Sequence, residues 1–243
     1  MASLELRKPQ NTIMKNIFLI LLLCVNLSAF AQTNVTKFLG IPVDGYKHEM
    51  IEKLKEKGFT ESKYINGFLE GEFNGEEVYV NVVTNNNKVY RIAVTDKNPR
   101  GETDIKIRFN KLCDQFLNNE RYFPFNENYK INDNENVDYE ITVNDKGYEA
   151  SFAQRIEITD SIAFIEKIRE QTLKSLSEKE LSDTTKLKTL LKDTMYETAK
   201  YMIEESCKNN VWFMISKSPI APMKYIIIMF YDNKNNEANG EDL

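Results

Sequence analysis

The stretch 67-GFLEGEFNGEEVYVNVVTNNNKVYRIAVT-95 holds two turn signals between three runs of alternating polarity. Asn74-Gly75 is the strongest short hairpin signal, because both central positions of the favoured two-residue turn need positive φ. The runs 67-GFLEGEF-73 and 77-EVYVNVVT-84 therefore pair, with Val78, Val80 and Val82 on one face. Asn85, Asn86 and Asn87 make the next turn, and 88-KVYRIAVT-95 returns with Tyr90, Ile92 and Val94 expected on its inner face. Strands joined by such short turns are antiparallel, and one-sided alternation calls for helices on one face only. The expected fold class is α+β.

Upstream, 38-FLGIPVDGYKHEMIEKLKEKGF-59 reads as a helix with Met50, Ile51 and Leu54 on one side. Asp44 is the expected N-cap and Gly58 the left-handed stop. Downstream, a helix over about 103–119 carries Ile105, Phe109, Leu112, Cys113 and Phe116 at helical spacing. A second hairpin is expected from 137-VDYEITV-143 and 148-YEASFAQ-154. Residues 160–208 are helical in character, in segments near 161–175 and from Asp183 onward, and a last hairpin pairs 211-VWFMISK-217 with 224-KYIIIMFYD-232. The expected order is α-βββ-α-ββ-αα-ββ, an antiparallel sheet of about seven strands with helices packed on one face. One domain over 32–231 is the default for this length, with 38–98 and 102–231 as candidate degenerate halves. Residues 232–243 are polar enough to be expected as a disordered acidic tail.

The N-terminus reads as a targeting segment. Lys15, the apolar run 17-IFLILLLCVNL-27 and small residues at Ala29 and Ala31 fit a secretory signal peptide over 14–31, with 1–13 an over-long start. The run is shorter than the ~20 residues that span a bilayer, so no transmembrane anchor is expected in the mature chain. Cys24 follows Leu23, and lipid attachment generally wants a small residue there. Removing 1–31, which holds Arg7, Lys8 and Lys15 against Glu5, leaves 212 residues and takes the net charge from −5 to −7. That balance argues against nucleic acid and anionic lipid as partners. The expected location is the periplasm or outside the cell.

The lead Gly40-Ile41, the helix pattern Met50-Ile51-x-x-Leu54, Gly58 and the meander over 59–96 together resemble exported proteins of tandem helix-plus-antiparallel-sheet type. These include the β-lactamase inhibitory proteins and the small outer-membrane assembly lipoproteins of Gram-negative bacteria. A lead similar to FLGIPVDG also opens other, uncharacterised exported Gram-negative proteins. The chain departs from their usual Gly-x-Pro turn at Gly58-Phe59-Thr60, and it adds the helical stretch 160–208. The resemblance implies a non-enzymatic role in which a sheet face and its loops grip another macromolecule.

Catalytic constellations are thin. His48, the single histidine, falls on a polar helix face, where a triad's enclosed base would not sit. Glu70 and Glu72 share a strand face, as an acid pair for glycoside hydrolysis would, yet a solvated sheet face has the same pattern. The stretch 133-DNENVD-138 spaces oxygen ligands like a calcium loop but lacks the central glycine and closing glutamate. No cofactor and no metal is expected. Cys113 and Cys207 leave two arrangements open, a disulfide or two buried thiols.

The last hairpin is apolar on both faces. Phe213, Ile215, Ile226, Ile228 and Phe230 are expected on one, and Trp212, Met214, Tyr225, Ile227, Met229 and Tyr231 on the other. One set meets the core; the other is either covered by the helices of 160–208 or exposed for recognition. Trp212, Met214, Tyr225, Met229 and Tyr231, with Ile220 in the proline-stiffened loop, are the candidate binding residues. The expected function is an exported binding protein of the cell envelope with a protein or other envelope component as partner. An envelope hydrolase using paired carboxylates and a small-molecule carrier with its pocket between the helical stretch and the sheet are the alternatives.

Overall fold

The computed structural model describes residues 35–155, 170 and 184–238. The expected leader, Cys24 and the helix near 161–175 (Glu170 apart) lie outside the described residues. By its contacts the chain divides into two units, 35–155 with 206–243 and 1–34 with 156–205, where the sequence reads as one domain over 32–231. The dividing segment is inserted between two strands that pair with each other, so the sheet closes without it.

The first unit is an α+β structure. Its strands are β1 (Lys37–Phe38), β2 (Ile41–Pro42), β3 (Thr60–Glu61), β4 (Phe68–Phe73), β5 (Glu76–Asn85), β6 (Lys88–Asp96), β7 (Tyr122–Pro124), β8 (Glu149–Gln154), β9 (Asn209–Lys217) and β10 (Tyr225–Asn233). Its helices are α1 (Lys47–Glu56), α2 (Glu102–Leu117) and α3 (Val137–Val143). Eight strands form one antiparallel sheet in the order β3-β4-β5-β6-β10-β9-β8-β7, and β1 pairs with β2 alone. The final strand thus fills the centre of the sheet, beside β6.

Local chemistry explains the turns. Asn74 and Gly75 take φ of 53° and 75°, and Asn86 and Asn87 take 46° and 64°, so both hairpins of the meander turn as their asparagines allow. Gly58, at φ 98°, ends α1. The lead 38-FLGI-41 is itself a tight hairpin, through Leu39 and Gly40 at φ 52° and 80°, and it drives Phe38 into the core against Tyr231, 4.9 Å between rings.

Several expectations are corrected. The run 137–143 is a helix, not a strand: Val137 and Ile141 sit one turn apart toward the core, and Asn136 Oδ1 accepts from Tyr139 N at 2.9 Å as an N-cap. Alternating Val, Tyr, Ile and Val satisfied the strand period equally well. The real neighbour of β8 is β7, hidden from sequence reading by its three residues and Pro124. Asp44 does not cap α1; its Oδ1 accepts from Gly45 N and Asn236 Nδ2, both at 2.7 Å, and the helix starts after Tyr46. Tyr90 is half-buried rather than inward, because the β5–β6 register pairs Val83 with Arg91 and Thr84 with Val89, leaving Tyr90 as a bulge residue. The start of the expected tail is ordered. Asn233 is buried with its amide on Val43 O at 2.9 Å, and Asn236 reaches Val89 O at 2.8 Å. Polar side chains bury readily once their hydrogen bonds are met. Residues 239–243 lie outside the described residues.

The inner face packs on α1 and α2. Met50 and Leu54 of α1 join Val78, Val80 and Val82, while Phe109 and Phe116 of α2 meet Phe213 at 5.2 and 5.6 Å and Phe116 stacks on Phe152 at 4.8 Å. Gly71 is required by this packing: a Cβ there would lie 2.7 Å from the Phe59 ring, which is itself 2% exposed. Gly71→Ala is therefore expected to lower stability by about 1–3 kcal/mol in urea unfolding. A loss under about 0.5 kcal/mol would mean the ring has room to turn.

The free edge of β7 is closed to further strands. Pro124 has no N–H, and Tyr122 N donates to Asn119 O at 2.9 Å, while Phe125 N points the other way to Ser151 O.

In the second unit, helix α4 (Thr184–Ser206) exposes Met195, Tyr196 and Ile203. Among the described residues no helix is long and apolar enough to cross a membrane.

Candidate functional site

The register of the last hairpin decides which candidate residues stand together. β9 and β10 pair Met229 with Phe213, Tyr231 with Val211 and Phe230 with Trp212. Directly opposed residues share a face. Phe213 and Ile215 therefore lie with Tyr225, Ile227, Met229 and Tyr231 in the core, and Trp212 and Met214 lie with Ile226, Ile228 and Phe230 on the outer face. This corrects the expected grouping, which crossed the two strands by one residue. Of the candidate binding residues, Tyr225, Met229 and Tyr231 are core, Trp212 and Met214 are half-buried on the outer face, and Ile220 is 78% exposed on the connecting loop.

The outer face is organised around a carboxylate. Asp232, 5% exposed, accepts from Arg91 Nε at 2.5 Å and Nη2 at 2.8 Å, and from Trp212 Nε1 at 2.9 Å. Arg91 faces Asp232 across the β6–β10 pair, so the guanidinium is laid on the sheet. It sits 4.8 Å from the Phe230 ring centre and 5.7 Å from that of Trp212, and the two rings stack at 4.2 Å. A tryptophan, a phenylalanine and an arginine are thus held in one geometry by a partly buried bidentate ion pair. Along the same face Tyr79 carries the Lys97 ammonium 5.2 Å from its ring, with Glu70 beside that lysine at 3.4 Å. Sequence reading missed Arg91 and Asp232, since their union is a cross-strand register effect.

A second feature lies on the helix side, where a cleft of about 270 Å³ opens between α3 and the loop 218–224. Asp138 and Thr142, one turn apart on α3, face Lys217, Lys224 and Tyr225 across it, and Met223 forms a wall. The Tyr225 hydroxyl donates to Asp138 Oδ1. Burial, then the Asp138 carboxylate, push this phenol up to about 12. Its folded form keeps the proton where an unfolded tyrosine, near 10, has lost it, so its contribution is complete below about pH 10 and is lost as pH rises toward 12. Thermal melts at about pH 9 and about pH 11.5 should show a smaller alkaline drop in Tyr225→Phe than in the parent. Equal drops would assign the effect to other groups.

The remaining candidates are placed as follows. His48 is exposed and lies over Tyr46, 6.1 Å between rings. Glu70 is half-buried with Ser62 and Lys97, and Glu72 is exposed. At 133–138 the carbonyls of Asp133 and Glu135 receive the Lys106 ammonium, at 2.7 and 2.8 Å, and the Glu135 side chain takes Lys146 and Tyr148. The Lys146 hydrogen bond, then that of Tyr148, holds the Glu135 carboxyl below its ordinary value. Among the described residues no group of three or more His, Cys, Asp or Glu is gathered as a metal site would need. Cys113 and Cys207 are free thiols, and burial raises Cys113 to about 12, which keeps it protonated and unreactive. Of the helical stretch 160–208 named for a carrier pocket, residues 160–169 and 171–183 lie outside the described residues.

No family model, no curated protein and no solved structure matches this chain.

Proposed function

We propose that this is an exported, non-enzymatic binding protein of the bacterial cell envelope, which holds a protein or another envelope component against the outer face of its sheet. The observation that carries the reading is the Trp212–Phe230–Arg91 group fixed by Asp232. Tryptophan and arginine are the residues most enriched at binding hot spots, and they are most effective when their geometry is set before the partner arrives. Half-buried Met214 and Ile228 extend the apolar area around them. The sequence supports the same direction through its leader, its acidic balance and its resemblance to exported sheet-and-helix binding proteins.

The reading is tested by placing charge on that face. Met214→Asp with Ile228→Asp should abolish co-purification of the partner from the envelope fraction, while the far-ultraviolet circular dichroism spectrum stays unchanged. Lys53→Asp, on the exposed side of α1, should leave capture intact. Capture that survives the double substitution would remove the outer face from consideration.

A further inference from the structure

We propose that the cleft between α3 and the loop 218–224 receives the C-terminal carboxylate and apolar last side chain of a partner polypeptide. The cleft's charge stands against that of the chain. The protein carries a net −5, yet the cleft sets Lys217 and Lys224 against one carboxylate, Asp138, already occupied by the Tyr225 hydroxyl. Glu102 is the other acid that acts on Tyr225. Neither lysine has an ion-pair partner among the described residues. Two lysines without ion-pair partners lining one small space favour an anion there.

The cleft is small, and the exposed apolar side chains near it offer a path for the rest of a larger molecule. At about 270 Å³ the cleft falls below the ~300 Å³ where sites enclosing a whole drug-sized ligand begin. Met223, which lines it, is 78% exposed, as is Ile220 on the same loop, and on α3 Tyr139 and Val143, next in sequence to Asp138 and Thr142, are 52% and 60% exposed. A chain whose last residue fills the cleft would continue over these side chains, which a short free acid could not reach. Met223 is also held at φ 56°, a left-handed conformation that is unfavourable for an L-residue with a side chain. Such strain is commonly stored where a loop presents something, and a thioether adapts well to varied apolar side chains.

The test is methionine-methyl NMR of the full chain, with the Met223 signal assigned by Met223→Leu. The titrants are an acetylated Gly-Ser-Gly-Leu free acid, its C-terminal amide, and hexanoate. The Met223 methyl should move saturably with the free acid at a Kd of about 1 mM or tighter, the range one carboxylate and one side chain support. The amide and hexanoate should each bind at least ~10-fold more weakly. Lys217→Gln with Lys224→Gln, both at exposed positions, should weaken the free acid by a similar factor and leave the amide unchanged. An unmoved Met223, equal affinity for acid and amide, or hexanoate matching the peptide would each overturn the proposal. The outer-face reading stands or falls separately, because Trp212, Phe230 and Arg91 do not line this cleft.

Discussion

Phe213→Ala should lower the free energy of unfolding by about 3–5 kcal/mol, the range for deleting a fully buried aromatic ring. Phe213 is 0% exposed at the middle of β9 and touches three further rings, with centroids 5.2 Å away at Phe109, 5.6 Å at Phe116 and 6.1 Å at Phe152. Those rings come from α2 and β8, so they cannot collapse into the gap without shifting a helix or a strand. The loss should therefore include a cavity term beyond simple transfer of the ring to water. Ile220→Ala, 78% exposed on the adjoining loop, should stay within about 0.5 kcal/mol by the same urea titration. A Phe213→Ala cost under about 1.5 kcal/mol would show that this layer is loosely packed.

Asp96→Ala should cost nearly as much, about 3–5 kcal/mol, for an electrostatic reason. Asp96 is 5% exposed at the end of β6 and receives Arg100 Nη1 at 2.8 Å and Arg108 Nη2 at 3.3 Å. Arg108, on α2, is itself 6% exposed, and its other acid, Glu76, lies at 3.8 Å. Without Asp96 the Arg108 guanidinium stays buried with one distant counter-charge, and the desolvation already incurred is no longer offset. Arg100 also exchanges both main-chain hydrogen bonds with Tyr225, at 2.8 Å each, so the network ties the start of α2 to the start of β10. Asp96→Asn, which keeps one acceptor, should lose less. Equal losses for the two variants would assign the effect to shape rather than charge.

How far the sequence reaches is shown by individual elements. The meander was legible because Asn74-Gly75 and the Asn85–Asn87 turn impose their own backbone conformations, whatever the rest of the chain does. The packed face of α2 was legible because Ile105, Phe109, Leu112, Cys113 and Phe116 recur at helical spacing, and all five are buried. Residues 137–143 were not, since seven residues alternate and repeat at i, i+4 equally well; Asn136 and the acids after it were the available sign of a helix. Strand β7 was too short to show a period. The candidate binding face was half legible. That the final hairpin is apolar on both sides is plain in its composition, but which residues share a side depends on the register. One residue of slip exchanges Trp212 for Phe213. The pairing of Lys217 with Tyr225 fixes that register, and the seven-residue loop between them does not reveal where the strands end. Arg91 and Asp232 are 141 positions apart, and only the β6–β10 pairing makes them neighbours.

The central claim, that the outer sheet face is where the partner sits, is tested most directly by a benzophenone side chain introduced at Met214 and irradiated in intact envelopes. The expected result is a discrete cross-linked species from position 214 and none from the same group at Lys53 on α1. Silence at 214, or the same species from both positions, would contradict it.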